Sequence, residues 1–122
     1  MALYSSGEMY LETIKVLQKE IGSVRALDVA RRMCYSKPSV SRALRLLKDD
    51  GYIVIADDGY ITLTDAGREI AEKIYERHTI LTNMLKMLGV DERTAAEDAC
   101  RIEHDISDAS FEAIKVHMSS KK

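Results

Sequence analysis

This chain has little aromatic or cyclic chemistry: no Trp, one Phe (Phe111) and one Pro (Pro38) in 122 residues. Long β architectures, which draw on aromatic strands, are therefore disfavoured. There are two cysteines, Cys34 and Cys100, which fits reduced thiols in the cytoplasm better than a disulfide framework. The first residues lack the basic start and apolar core of a secretion signal. No apolar run approaches the ~20 residues that cross a bilayer, so no membrane partner is expected. What remains is enough to fold: 46% hydrophobic and 31% charged residues suit one domain or two very small ones.

Net charge is only −2, but it is unevenly spread. From Val29 to Lys48 there are six basic residues (Arg31, Arg32, Lys37, Arg42, Arg45, Lys48) and no acid. From Asp91 to Glu112 eight acids face only Arg93 and Arg101. A cationic front half and an anionic back half imply one end for polyanions and another for cations.

Hydrophobic periodicity orders the chain. Ser6–Ile21 reads as a helix, capped by Ser5 or Ser6, with Glu8 in its first turn and Tyr10, Ile14, Leu17 and Ile21 facing the core. Gly22 ends it. Val24–Met33 is a second helix, with Leu27, Val29, Ala30 and Met33 inward. After a turn at Cys34–Lys37, Ser36 caps a third, Pro38–Asp49, with Pro38 where a missing N–H costs nothing. Val40, Ala43, Leu44 and Leu47 face inward; Ser39, Ser41, Arg42, Arg45 and Lys48 face out. The pattern then turns strand-like, with Tyr52–Ala56 and Tyr60–Leu63 flanking the turn Asp57-Asp58-Gly59. Thr64 caps a long helix, Asp65–Leu88, whose stripe is Ile70, Ile74, His78, Leu81, Leu85 and Leu88. Asp91–Ile106 follows, with Ala95, Ala99, Ile102 and Ile106 inward. Asp108–Met118 is last, and Ser119–Lys122 reads as a frayed tail. The fold class is mainly α with a small β-wing: a winged helix-turn-helix over 1–64, then a helical domain over 65–122.

A helix showing Ser, Ser, Arg and Arg suits a DNA major groove, since small hydroxyls permit close approach and Arg bonds guanine bidentately. Ser36, Pro38, Ser39, Ser41 and Arg42 are placed near base edges, and Lys37, Arg45 and Arg32 on phosphates. So short a helix reads few base pairs, so specificity needs two half-sites and a homodimer. Met84, Leu85 and Leu88, among the surplus apolar residues late in the chain, are candidates for that interface or for ordinary core.

Ala99–His104 carries a second signal. Cys100, Glu103 and His104 at i, i+3 and i+4 leave one helical face together. Thiol, carboxylate and imidazole converging there form a transition-metal donor set. A nucleophile-base role is disfavoured, because neither an orienting third residue nor a Gly-rich phosphate loop is evident, and no enzyme is expected.

The sequence resembles the diphtheria toxin repressor family of metal-dependent transcriptional repressors, comprising iron-dependent regulators and manganese transport regulators. The resemblance rests on G-E-M-Y-L-E at Gly7–Glu12, S-K-P-S-V-S at Ser36–Ser41 and L-T-D-A-G-R at Leu63–Arg68. It extends through E-R-H at Glu76–His78 and E-D-A-C-R-I-E-H at Glu97–His104 with the following D-I-S-D, and so spans essentially the whole chain. It implies a metal-binding and dimerisation domain after the DNA-binding domain, and a repressor of metal-uptake genes that binds palindromic operator DNA as a homodimer. It further implies an activating site of Met9, Cys100, Glu103 and His104, with Cys100 giving its carbonyl or its sulfur. Met and Cys at two of these places match the iron branch, where the manganese branch has carboxylates. Soft donors lean away from Mn²⁺ toward Fe²⁺, Co²⁺, Ni²⁺ or Zn²⁺. Availability in the cell then favours Fe²⁺, with Mn²⁺, Co²⁺, Ni²⁺ or Zn²⁺ as substitutes.

At the iron branch's ancillary site His78 is kept, but Thr82 and Ala96 occupy the other two ligand positions. Glu12 matches a manganese-branch ligand, so His78 and Glu12 with Glu103 form a second candidate site; the other reading of His78 is a satisfied histidine on an apolar stripe. The chain resembles the short form that stops before an SH3-like domain. The alternatives are a manganese-responsive member of the same family, and a winged-helix regulator sensing an organic ligand or a thiol oxidant; an organic cofactor is not expected.

Overall fold

The computed structural model describes residues 5–120, the Ser5 side chain excepted. These form α1 (Ser5–Ile21), α2 (Ala26–Met33), α3 (Lys37–Asp49), β1 (Ile53–Ile55), β2 (Ile61–Leu63), α4 (Asp65–Met87), α5 (Glu92–Asp105) and α6 (Asp108–Ser119). The chain divides into two compact units, Met1–Glu72 and Lys73–Lys122. No helix among the described residues is long and apolar enough to cross a membrane.

In the first unit the core is built from one face of each element. Leu11, Ile14 and Leu17 of α1 meet Val29 and Ala30 of α2, Val40, Leu44 and Leu47 of α3, and Ile53, Ile61 and Leu63 of the strands. The strands pair antiparallel with Ile53 opposite Leu63 and Ile55 opposite Ile61. The Asp57-Asp58-Gly59 turn closes the ribbon, and Gly59 takes a φ of 90° that favours glycine. The α3 cap is as expected: the Ser36 hydroxyl accepts from the Ser39 N–H at 3.3 Å.

Local pattern erred where tertiary contacts outcompeted it. Val24 is not in α2 but bridges to Ile61, whose N–H donates to the Val24 carbonyl at 2.8 Å. The helix consequently starts at Ala26, with Leu27 turned out at 44% exposure. In α1 the buried stripe includes Leu11, unforeseen, whereas Ile21 in the last turn is 51% exposed. Ser5 and Ser6 lie inside α1 rather than before it.

The start of α4 is tied to the loop before β1. Thr64 Oγ1 donates to the Gly51 carbonyl at 2.7 Å and accepts from the Gly67 N–H at 3.2 Å. Backbones approach so closely here that a Cβ on Gly67 would lie 2.0 Å from the Tyr52 carbonyl oxygen. This is the physical reason for glycine inside an otherwise regular helix.

The second unit packs Leu81, Ala99 and Phe111 at its centre, with Ile80, Met84, Ile102, Ile106 and Ile114 around them. Asp91 and Ser107 cap α5 and α6, accepting from the Thr94 and Ser110 N–H groups at 3.0 and 3.1 Å. The Asp91 carboxyl is held below its usual pKa, chiefly by the Thr94 N–H. The stripe foreseen on α4 stops short: Leu88 lies past the helix end and is 73% exposed. Phe111 is buried in this core. Of the tail, Ser119 ends α6 and Ser120 caps it, while 121–122 lie outside the described residues.

Candidate metal centre and DNA-binding face

Helix α5 delivers the donor set because i, i+3 and i+4 share a face. One ligand atom from each of Cys100, Glu103 and His104 lies within 4.8 Å of the others. Glu103 is wholly buried, an expensive place for a carboxylate without compensating partners. Its Oε2 is 2.9 Å from His78 Nδ1, brought over from α4. Its Oε1 is 3.4 Å from His104 Nε2 and has no hydrogen-bond partner among the described residues. The His104 side chain is only 4% exposed, whereas that of His78 is 31% exposed. A buried acceptor lacking a hydrogen bond, beside a thiol and an imidazole, fits a divalent transition metal: the donors are mixed soft and borderline, and the ion would compensate the buried negative charge. His78, on the α4 stripe, contacts the Glu103 carboxylate. Met9 and Glu12 lie on α1 in the first unit, three residues apart and both half-buried.

One participant was missed from sequence. Arg77, next to His78, is only 5% exposed. Its guanidinium donates to the Glu103 carbonyl at 3.0 Å and the Ile106 carbonyl at 2.9 Å, and it hydrogen-bonds Asp108 at the start of α6. Its Cζ lies 5.3 Å from the centroid of the Phe111 ring. Lys73 Nζ reaches Asp108 at 3.0 Å as well, and Lys73, then Arg77, hold the Asp108 carboxyl below its ordinary pKa. A signal existed: Ile74, Arg77 and Leu81 recur at core spacing, which placed an arginine where an apolar residue was due.

In the first unit α3 turns Lys37, Pro38, Ser41, Arg42, Arg45 and Lys48 to solvent. Ser39 is half-buried, and its hydroxyl takes a 2.8 Å hydrogen bond from the Ser36 hydroxyl, so both serines serve the helix start. Arg32 on α2 is exposed but held in a two-pronged pair with Glu20, at 2.7 and 2.9 Å. This partner had no sequence signal, since twelve residues separate the two. The Tyr10 ring lies 6.2 Å from that of Tyr35, steadying the turn between α2 and α3. Met84 and Leu85 are half-buried; Met87 and Leu88 are exposed at 60% and 73%.

Helix-turn-helix, basic third helix and ribbon make the first unit a winged helix-turn-helix of the DNA-binding kind, and the second unit is helical with a metal-type donor set. Residues 2–61 match the iron dependent repressor N-terminal DNA binding domain, and residues 64–121 the iron dependent repressor metal binding and dimerisation domain. The chain belongs to the iron dependent repressor family. Transcriptional regulator MntR of Escherichia coli O6:H1 is 35% identical over 107 residues, 88% of this chain and 69% of that protein. An HTH-type transcriptional regulator of Methanocaldococcus jannaschii is 35% identical over 117 residues, 94% of each chain. Among solved structures, a manganese-dependent transcriptional repressor in complex with manganese is similar at TM-score 0.84 and 29% identity, covering 93% of this chain and 52% of that one. The manganese regulator SloR, at TM-score 0.81 and 22% identity over 98% of this chain and 55% of its own, shares the fold. The chain thus spans about half the length of these two structures.

Proposed function

We propose that this protein is an Fe²⁺-activated transcriptional repressor that acts in the cytoplasm, binding palindromic operator DNA as a homodimer to control metal-uptake genes. The observation that carries the reading is the buried Glu103 carboxylate, with one oxygen lacking a hydrogen bond among the described residues and Cys100 and His104 beside it. Cys100, Glu103 and His104 are the proposed ligands on α5. Met9 and Glu12 are added on the family resemblance alone. A bound divalent cation supplies the positive charge that lets a thiolate and a carboxylate stay together out of water.

The chain's own groups prepare for this. His78 Nδ1 fixes the rotation of the Glu103 carboxylate, and the buried His104 ring keeps water from it. On the DNA side, Ser41 and Arg42 read base edges with Ser36, Pro38 and Ser39 at the helix start, and Lys37, Arg45 and Arg32 take phosphates. Met84, Leu85 and Leu88 are assigned to the dimer interface. The functional division is taken at 64/65; the two family domains match residues 2–61 and 64–121.

The thiol of Cys100 and the thioether of Met9 are soft donors that disfavour Mn²⁺ relative to Fe²⁺, Co²⁺, Ni²⁺ or Zn²⁺, and Fe²⁺ is preferred among these on cellular availability. The manganese-bound repressor at 29% identity favours a second reading, Mn²⁺, in which the carboxylate of Glu12 and the imidazole of His78 carry more weight. Anaerobic fluorescence anisotropy on labelled promoter DNA at fixed salt distinguishes them, because chelator, Fe²⁺ and Mn²⁺ are compared under one electrostatic background. Tight binding with Fe²⁺ alone supports the first reading, and equal activation by Mn²⁺ the second. Chelator-insensitive binding overturns metal control and leaves an organic-ligand or thiol-oxidant sensor, whereas unchanged metal activation in Cys100→Ala or His104→Ala overturns the assignment of these ligands.

A further inference from the structure

The second unit contains a buried cation that the metal-responsive reading does not use. Arg77 reaches from α4 to the last turn of α5 and the first turn of α6, and three acceptors converge on its two terminal nitrogens: the Glu103 and Ile106 carbonyls and the Asp108 carboxylate. The last carbonyls of a helix have no partner within it. Here a guanidinium supplies the partner, and its charge opposes the negative end of the α5 dipole.

The geometry is specific in one further respect. The residue whose backbone Arg77 holds, Glu103, is the same one whose carboxylate is held by His78, the next residue on α4. Consecutive α4 residues therefore grip one α5 residue at its carbonyl and at its carboxylate. Burial of the Arg77 side chain at 6% exposure, and the Phe111 ring beneath it, leave the fork little freedom. Only a guanidinium offers planar, divergent N–H groups for such a triple grip; an ammonium is a point donor.

We propose that Arg77 is a positioning residue for the donor set on α5: by anchoring the Glu103 carbonyl and the start of α6, it sets where the Glu103 carboxylate and the His104 ring stand relative to Cys100. It touches no metal itself. The proposal rests on the reading that Cys100, Glu103 and His104 bind a divalent cation. It predicts that loosening the fork alters the site before it unfolds the unit.

The test is a Co²⁺ titration of the purified full chain under anaerobic conditions, against a colorimetric chelator, with the visible ligand-field spectrum recorded. Arg77→Lys retains the charge but not the fork, and Asp108→Asn removes the counter-charge from an exposed residue. Arg101→Ala, exposed on α5 and outside the grip, is the control. Arg77→Lys is expected to weaken Co²⁺ binding about tenfold with a changed spectrum, Asp108→Asn to do so less, and Arg101→Ala to match wild type. Far-UV circular dichroism and the wild-type association state are expected to persist in all three. Wild-type affinity and spectrum in both Arg77→Lys and Asp108→Asn overturn the positioning role, as does a spectrum unchanged in any variant whose affinity falls only in step with lost helicity. Should Arg77→Lys fail to fold, Asp108→Asn decides alone. If wild type and Arg101→Ala also fail to bind Co²⁺, the metal reading itself falls, and this role with it.

Discussion

Replacing Glu103 with Gln should move stability and metal response in opposite directions. The side chain is wholly buried, and only one carboxylate oxygen has a hydrogen-bond partner among the described residues. An unmade hydrogen bond on a buried acceptor costs about 1–3 kcal/mol, and more if the group is ionised. Gln keeps the shape, removes the charge, and puts an amide N–H at the Oε1 position, where His104 Nε2 lies 3.4 Å away as an acceptor in its Nδ1-protonated tautomer. The metal-free variant should therefore be about 1 kcal/mol more stable than wild type. With metal the order reverses. A cation at one hundred times its dissociation constant stabilises the native state by about 2.7 kcal/mol. If losing the carboxylate weakens binding about 100-fold, the same cation concentration contributes only about 0.4 kcal/mol. Urea unfolding followed by circular dichroism, with chelator and with excess Co²⁺ or Mn²⁺, reads both terms. A variant destabilised by about 1 kcal/mol or more in chelator refutes the claim that this carboxylate is poorly compensated. A metal-induced gain equal to that of wild type refutes its role as a ligand.

Arg42→Ala, on the exposed face of α3, should reduce discrimination between operator and scrambled DNA by about 1–3 kcal/mol while Co²⁺ affinity stays unchanged; equal weakening on both DNAs would reassign Arg42 to phosphates. Gly67→Ala should destabilise the first unit by about 3 kcal/mol in chemical denaturation, because its Cβ would meet the Tyr52 carbonyl oxygen. A wild-type midpoint would show that α4 starts with more slack than its geometry implies. Asp108 gives a pH signature. Its folded pKa is depressed, so its contribution is complete above the ordinary value of 3.8 and is lost as pH falls through the lower folded value. Thermal midpoints of wild type should fall more steeply than those of Asp108→Asn below about pH 4, and run parallel to them from about pH 5 to 8. Parallel curves throughout would show that the pairs with Lys73 and Arg77 carry no linkage.

Much of this protein is written in local patterns. The α3 stripe Val40, Leu44 and Leu47 is buried as periodicity requires, and Ser36, Thr64 and Asp91 accept from the N–H groups that begin their helices. The Cys100, Glu103 and His104 cluster needs only helical spacing, which is why it is legible in a single line of sequence. Such features depend on residues within one or two turns of each other, where backbone geometry alone decides the outcome. Partners distant in sequence were a different matter. Glu20 beside Arg32, Val24 in a bridge with Ile61, the Gly67 approach to Tyr52, and Arg77 gripping Glu103, Ile106 and Asp108 join residues 12 to 37 positions apart. Periodicity marks a residue as facing inward but does not say what it meets there. A buried arginine is tolerable only once its acceptors have been assembled by packing, so its role came from the tertiary structure, whereas the donor set it holds came from the sequence.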